Sequence, residues 1–367
     1  MYVFDVNWDC VEELYSAESR LESRLLYKMT TRPQANAQGL KPYSEQAITQ
    51  CNSSIFTITK TFFPGWFISF GWLTMPIIAL CAMRKARQLL GSRPDTAVFV
   101  SPHYIFLQKA LAPAITVYHS IDDYGAYWPS RKTLTCRREN AMIERADLVI
   151  CAGHYRAEEM RNTHPHKAAA IHHIPNPVPA NFICKPEEAV THNKRPVIGF
   201  IGSIEERVDT AAIVALAKAI PEADIVLRSD KSDANPFGNS PNVRYLERMD
   251  RKDLPALIRS FDICIVPQSD TYFNKCSSPR KLYEYLGSSK PIVTMNTPEA
   301  APLAPYVRNA DNTSQFIDMI KNILVKGELA GYPEQRLLLA QQRTPAILAN
   351  KLADLIMDVR RRKNQHE

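Results

Sequence analysis

Short apolar runs alternate with longer amphipathic stretches from residue 85 onwards. Runs of this kind, apolar at nearly every position, are typical of parallel strands that are buried on both faces. In the first half the predicted strands are 97–102, 114–119, 146–151 and 169–174, and the helices between them are near 131–145 and 155–162. This alternation predicts an open α/β sheet.

The same alternation resumes at residue 196 and predicts a second α/β domain. Its predicted strands are 196–203, 224–227, 242–246, 262–267 and 290–293, and its helices are 210–220 (capped by Asp209), 253–260 and 314–324. We therefore predict an N-terminal domain over residues 1–180, a polar linker over 181–195, a second domain over 196–343, and a C-terminal helix with a basic tail over 344–367.

The first sixty residues carry the weakest pattern. A short strand is predicted at the start, and leucine spacing predicts a helix within 12–28. No glycine-rich turn follows the first strand.

Residues 62–83 form a long apolar and aromatic stretch that is followed by Arg84, Lys85 and Arg87. Three interpretations remain open: a membrane span, an interfacial segment that docks on a membrane, or an ordinary buried element. The aromatic residues that would make membrane or acceptor contact are Phe62, Phe63, Trp66, Phe67 and Trp72.

Composition sets further bounds. The 367 residues are 45% hydrophobic and 23% charged, which is typical of a globular protein, and the net charge is +7. This mild, diffuse basicity suits phosphorylated ligands or an anionic membrane surface and does not indicate nucleic-acid binding. Eight scattered cysteines without a C-x-x-C pair, and a start that does not resemble a signal peptide, predict a reducing cytoplasmic location without a zinc site.

The stretch 277–287 has the pattern of a helix that begins at an anion-binding site. Ser278 is a good N-cap, Pro279 suits the first helical position, and Gly287 is expected to end the helix. Lys281 would add positive charge to the helix start, and Glu284 would lie on the same face for sugar hydroxyls. The alternative is a capped surface helix with a Lys/Glu pair.

Ligands of open parallel sheets bind at the carboxyl ends of the strands, and several candidate residues fall there. Arg207 could reach a diphosphate or pair with a neighbouring glutamate, and Arg248 with Met249 could frame a nucleobase or lie in an exposed loop. The complete set of candidate donor-binding residues is Gly202, Ser203, Arg207, Arg248, Met249, Ser277, Ser278, Lys281, Leu282 and Glu284.

Asp122 and Asp123 follow a predicted strand of the first domain. One of them could act as a general base if its pKa is raised, or both could serve a turn or helix cap. His119 nearby is more consistent with a packed histidine. The chain has no P-loop, no G-x-G-x-x-G, no H-E-x-x-H and no Asp-x-Asp, so no metal site is expected. Lys281, arginines and helix N-termini would neutralise a leaving diphosphate.

These residues resemble a known family. The segments 197–203, 223–227, 262–267 and 278–293 are similar to the donor half of GT-B glycosyltransferases, above all to family 4-like bacterial enzymes of exopolysaccharide, teichuronic acid and lipopolysaccharide synthesis. Segments 118–123 and 144–149 look like the acceptor half. The resemblance covers about residues 95–325, and 278–293 is its most specific part.

The resemblance implies two Rossmann-like domains that face each other across a cleft. The C-terminal domain would hold a nucleotide-diphosphate sugar, with UDP the expected carrier. Lys281 would bind the diphosphate, Glu284 would contact the ribose or the sugar, and Asp122 would lie near the base of inverting relatives. Retaining members often carry an acidic residue where this chain has Cys276, which favours inversion or an atypical retaining site. The chain start also lacks the usual opening strand and glycine-rich loop.

The expected function is a metal-independent glycosyltransferase, for hexosyl or glycuronosyl groups, at the cytoplasmic face of the membrane. It would use no cofactor beyond the nucleotide-sugar donor and would act on a lipid-linked or saccharide acceptor. Two alternatives are a sugar-nucleotide epimerase of the same architecture and a catalytically inactive sugar-nucleotide-binding partner protein.

Overall fold

The computed structural model describes residues 1–4, 9–21, 24–30, 47–52, 55–61, 69–92, 95–185, 193–229, 237, 240–247 and 249–365. The chain divides into two compact units: unit 1 comprises Met1–Pro175 and Pro345–Glu367, and unit 2 comprises Asn176–Thr344. Each is an α/β unit built on a mainly parallel sheet, so the predicted fold class is confirmed.

Unit 1 contains an eight-stranded sheet. Its strands are β1 (Tyr2–Phe4), β2 (Arg24–Thr30), β3 (Ala47–Asn52), β4 (Ile55–Thr61), β5 (Thr96–Phe99), β6 (Ile115–Ser120), β7 (Leu148–Cys151) and β8 (Ile171–His173). The strand order is β3-β4-β2-β1-β5-β6-β7-β8, and β3 alone among these strands pairs antiparallel to its neighbour.

The helices of unit 1 cover both faces of this sheet. They are α1 (Asp9–Ser16), α2 (Gly71–Leu90), α3 (Ile105–Leu111), α4 (Tyr124–Tyr127), α5 (Lys132–Arg145), α6 (His154–Thr163) and, from the end of the chain, Pro345–Asn364. Side chains alternate across a strand, so Phe4 belongs to the same core as Met75 of α2, while Val3 belongs to the core that contains Leu352 of the last helix. Burial on both faces explains the apolar strands.

The predicted helix within 12–28 is wrong. A short helix, α1, ends at Ser16, and residues from Arg24 onwards form strand β2. Strand β2 pairs with β1 and β4 on its two sides. A short apolar run fits either period, and here pairing with distant strands decides the structure.

Unit 2 contains a six-stranded, fully parallel sheet. Its strands are β9 (Val197–Ile201), β10 (Asp224–Arg228), β11 (Val243–Leu246), β12 (Ile263–Pro267), β13 (Ile292–Met295) and β14 (Val307–Ala310), in the order β11-β10-β9-β12-β13-β14. The first five match predicted strands, whereas β14 is absent from the prediction.

The helices of unit 2 are α7 (Thr210–Ala219), α8 (Leu254–Arg259), α9 (Tyr272–Cys276), α10 (Arg280–Gly287), α11 (Thr313–Lys326) and α12 (Tyr332–Gln341), and the last helix of the chain is α13 (Pro345–Asn364). Short 3-10 turns lie at Pro102–Tyr104, Pro129–Arg131, Pro165–Ala170, Ala180–Phe182, Arg251–Asp253 and Pro298–Leu303. Asp209 caps α7 as predicted, because its carboxylate accepts from the N–H of Ala212 at 2.8 Å.

The C-terminal helix α13 belongs to unit 1. Its basic end is largely exposed and forms two surface ion pairs: Arg360 pairs with Asp95 at 2.8 Å, and Lys363 pairs with Asp147 Oδ1 at 2.7 Å. The chain thus leaves unit 1 at Pro175, forms unit 2, and returns at Pro345.

Candidate functional site

The carboxyl edge of the unit 2 sheet has the topology of a ligand site. Strand β9 lies between β10 on one side and β12 on the other, so the connections from β9 and β12 run to opposite sides of the sheet. Such a switch in strand order opens a crevice at the carboxyl ends of the two strands. Gly202 follows β9 directly at this point.

Lys281 places its ammonium at this switch point. The Lys281 Nζ atom lies 4.1 Å from the centre of the Phe200 ring, and a Cβ atom at Gly202 would lie 2.7 Å from Nζ. Gly202 has φ +127°, a backbone conformation that side chains rarely adopt. Gly202 therefore leaves the space that the ammonium occupies, and the structure brings together two residues that sequence analysis had assigned to donor binding.

Helix α10 begins one residue later than predicted. Pro279 occupies the N-cap position and Arg280 is the first helical residue, with no capping side chain. The prediction that Ser278 is the N-cap is thus wrong. The Ser278 carbonyl accepts from Asn176 Nδ2 at 2.7 Å, and the Ser277 hydroxyl donates to the Asn274 carbonyl at 2.9 Å.

Leu282 and Gly287 of α10 both serve packing within unit 2. The side chain of Leu282 is fully buried in the core of unit 2. Gly287 does not end the helix through a left-handed conformation; instead, a Cβ atom there would lie 2.5 Å from the Phe182 carbonyl oxygen. Gly287 therefore allows close backbone packing.

Glu284 is held by two arginines. Its Oε1 atom accepts from Arg251 Nη2 at 2.8 Å and lies 3.2 Å from Arg280 Nε, and the carboxylate is almost completely buried. Arg280 is four residues earlier on the same helix, whereas Arg251 comes from the segment after β11. The carboxylate is thus fixed in place beside the carboxyl edge, although its described partners are arginines and not Lys281.

The other predicted donor residues are spread over the loops of this edge. Ser203 is half-buried, and Arg207 is exposed with its guanidinium 4.0 Å from the centre of the Phe273 ring. Met249 is half-buried against the core, and its carbonyl accepts from Arg228 Nη2 at 2.8 Å. Arg248 falls outside the described residues.

In unit 1, the two predicted acids have different environments. Asp123 is buried and caps α4, since its Oδ1 accepts from the N–H of Ala126 at 2.7 Å, while its Oδ2 lies 3.7 Å from Arg156 Nη1. Asp122 is half-buried, and its main-chain carbonyl accepts from the Ser120 hydroxyl at 3.3 Å. The structure thus gives Asp123 the capping role and leaves Asp122 as the candidate base.

A buried ionic cluster around Arg156 adjoins the loop that carries Asp123. Arg156 pairs with Glu139 Oε2 at 2.7 Å and also with Glu159, and the Tyr118 hydroxyl donates to Glu139 Oε1 at 2.9 Å. His119 is packed: its Nδ1 lies 3.2 Å from the Tyr15 hydroxyl, and burial lowers the pKa of His119 to about 4. His119 is therefore uncharged at neutral pH.

Helix α2 exposes a row of large apolar side chains. Phe70, Leu73, Ile77 and Leu80 recur at helical spacing on one outer face, and Trp72 beside them is 63% exposed. Of the helices that the structure describes, none combines the length and hydropathy needed to cross a bilayer. The aromatic residues Phe62, Phe63, Trp66 and Phe67 are not among the described residues.

Comparison with known proteins agrees with the fold. Residues 51–182 match the sequence model of Glycosyltransferase Family 4. The chain also shares the fold of α,α-trehalose 6-phosphate synthase from Burkholderia multivorans, with a TM-score of 0.69 at 10% identity over 100% of this chain and 99% of that one. The chain has the GT-B fold.

Two further proteins are similar to this GT-B chain, one in structure and one in sequence. The structure of Anabaena HepE in complex with UDP matches with a TM-score of 0.67 at 12% identity, over 97% of this chain and 99% of that one. TuaH of Bacillus subtilis, which is assigned to teichuronic acid biosynthesis as a glycosyltransferase, is 24% identical over 220 residues. That match covers 56% of this chain and 55% of TuaH, so the aligned part spans about half of the relative.

Three arginines of this GT-B chain were not among the site residues predicted from the sequence. Arg251 holds Glu284, Arg228 reaches the Met249 carbonyl, and Arg156 anchors the Asp123 loop. Each partner is brought close by the fold and not by helical spacing. A basic residue at the very end of an apolar strand, as in Arg228, is a signal that could have been noticed.

Proposed function

We propose that this protein is a glycosyltransferase of cell-surface polysaccharide synthesis that transfers a sugar from a nucleotide-diphosphate donor to a lipid-linked or saccharide acceptor. The observation that carries the proposal is the position of the Lys281 ammonium beside Gly202, at the point where strand order reverses in unit 2. A cation and a close backbone approach at this edge suit a diphosphate.

The proposed donor is a UDP-sugar. HepE, which shares the fold, has been crystallised with UDP and with UDP-glucose. We propose that the reaction needs no metal, because Lys281 and the N–H groups at the start of α10 supply positive charge where the leaving diphosphate develops its negative charge.

We assign one carboxylate of each unit a role in the proposed reaction. Asp122 deprotonates the acceptor hydroxyl, and Glu284, fixed by its two arginines, contacts the ribose or sugar. Cys276 stands where many retaining relatives carry an acid and is buried, which supports inversion. The transferred group is a hexosyl or glycuronosyl unit.

We also propose that the protein works at the inner face of the plasma membrane as a peripheral protein. The exposed apolar face of α2 supports this location, because large apolar side chains in a row are characteristic of docking surfaces. A lipid-linked acceptor would be met at the same surface.

Donor binding and transfer test the proposal together. A thermal-shift panel of UDP-, GDP- and dTDP-sugars should reveal stabilisation by one of them, since ligands that bind the folded state raise the unfolding temperature. Mass spectrometry should then find sugar added to a lipid extract, with chelator present throughout.

Other outcomes would identify the alternatives. A changed sugar without any acceptor would indicate an epimerase of the same architecture. Stabilisation without turnover in any extract would indicate an inactive sugar-nucleotide-binding partner. Loss of transfer with chelator would contradict metal independence.

A further inference from the structure

Arg228 and Ser229 connect two loops at the carboxyl edge of unit 2. On one side, the N–H of Gly202 donates to the Arg228 carbonyl at 3.0 Å, and the Ser229 hydroxyl accepts from the N–H of Ile204 at 3.2 Å. These bonds hold the loop after β9, which carries the glycine beside Lys281.

On the other side, the same two residues hold the loop after β11. The N–H of Ser229 donates to the Leu246 carbonyl at 3.3 Å, and the Arg228 guanidinium donates from Nη2 to the Met249 carbonyl at 2.8 Å. Arg228 is only 5% exposed. A buried guanidinium is costly unless hydrogen bonds compensate it, and the bond to Met249 contributes to that compensation while it holds the Met249 carbonyl in place.

The geometry points to Arg228 as a positioning residue that sets the nucleobase preference of the donor site. This inference rests on the proposed function, in which a diphosphate binds beside Gly202, and it adopts the sequence-based interpretation that Met249 frames the nucleobase. Polar groups discriminate between bases only when they are held at hydrogen-bonding distance from one base edge. The charged hydrogen bond from Arg228 to the Met249 carbonyl supplies that constraint.

The test measures dissociation constants of UDP, GDP, dTDP and ADP for the full-length chain by calorimetry. The variants are Arg228→Met, which removes the donor, and Arg228→Lys, which keeps a positive charge and a donor. Arg228→Met should weaken the preferred nucleotide about tenfold, the loss expected for one charged hydrogen bond, and the others less than about threefold. Arg228→Lys should keep the wild-type order of affinities.

Arg336→Lys is the control for a general loss of stability in unit 2. Arg336 is a fully buried arginine of the same unit, but it donates to the Ser289 and Tyr306 carbonyls, which precede strands β13 and β14 at the opposite edge. This variant should lower the unfolding temperature without changing the ratios between nucleotides.

Three results would overturn the inference. Equal weakening of every nucleotide by Arg228→Met would indicate a direct phosphate contact instead. Unchanged affinities, or the same compression of affinity ratios in the Arg336 control, would show that Arg228 does not position the base loop. If no nucleotide bound the wild-type chain, the proposed function itself would fail, which a separate wild-type titration establishes before any variant is compared.

Discussion

At the scale of single residues, the position of the Lys281 ammonium requires a glycine at position 202. The ammonium lies within 2.7 Å of the place where any other residue at 202 would put its Cβ atom, and it also lies over the Phe200 ring. The aromatic face compensates part of the desolvation of the cation, while the glycine leaves the space that the ammonium occupies.

Lys281→Ala should lower turnover at least about 100-fold, because one preorganised charge on the leaving diphosphate would be lost. Steady-state kinetics with the nucleotide sugar identified by thermal shift would measure it. Lys326→Ala, an exposed lysine at the end of α11, is the control and should leave turnover unchanged. Near-normal turnover of the Lys281 variant would remove its assigned role.

The sequence was sufficient to find this pair but not the arginines around it. A glycine after an apolar strand and a lysine in the first turn of a helix are both local signals. Arg251 and Glu284 are 33 positions apart, and their contact depends on how the segment after β11 returns to α10. A single sequence contains no pattern that predicts a contact between two residues so far apart.

At the scale of elements, α10 shows how a correct helix can have incorrect ends. Its predicted existence is confirmed, but Pro279 and not Ser278 stands at the N-cap position. Pro279 has a φ of −69° that suits a helix, but its ψ of 112° is extended, so it stands before the first helical residue, and the Ser278 side chain is buried. The glycine at the other end is explained by a neighbour, Phe182, that is distant in sequence.

Gly287→Ala should destabilise the protein by about 1–3 kcal/mol, because the added methyl group must displace the Phe182 carbonyl in a packed interior. Urea unfolding of the variant would measure this. Gly91→Ala, at a left-handed position (φ 69°, ψ −12°) with no atom within 4 Å of the added Cβ, isolates backbone strain and should cost less, about 1 kcal/mol. An equal or smaller loss at Gly287 would contradict the packing role.

The outer face of α2 permits a sharper test of membrane docking. The apolar side chains of its first half are followed on the exposed side by Arg84 and Arg87. Leu73→Glu combined with Ile77→Glu should reduce binding to phosphatidylglycerol vesicles at least tenfold, since two exposed apolar side chains would become charged. Vesicle co-sedimentation would measure it.

The control for this surface lies on unit 2. Val325→Glu changes a side chain that is 82% exposed on α11 and should not alter vesicle binding. If the wild type did not sediment with vesicles, or if the α2 double variant sedimented as well as the wild type, the docking role of α2 would be excluded.

At the scale of the whole molecule, the chain order and the units do not coincide. The pattern of strands and helices was enough to predict two α/β halves, because alternation is local. It did not show that α13, which follows unit 2 in sequence, completes the core of unit 1. An amphipathic helix reveals that it has a buried face, but not which sheet covers that face.

The role of α13 can be tested without truncating the chain. Leu352 is fully buried with Val3 and Val98 in the core of unit 1, whereas Ile347 on the same helix is 47% exposed. Leu352→Ala should cost about 2–4 kcal/mol through lost burial and the remaining cavity, and Ile347→Ala less than about 1 kcal/mol. Both variants introduce alanine, a strong helix former, into the same helix, so helix propensity cannot account for a difference in stability between them. Hydrogen exchange should place the larger loss in the unit 1 strands β1 and β5, whose residues Val3 and Val98 belong to the same core as Leu352. Loss confined to unit 2 would contradict the assignment of α13 to unit 1.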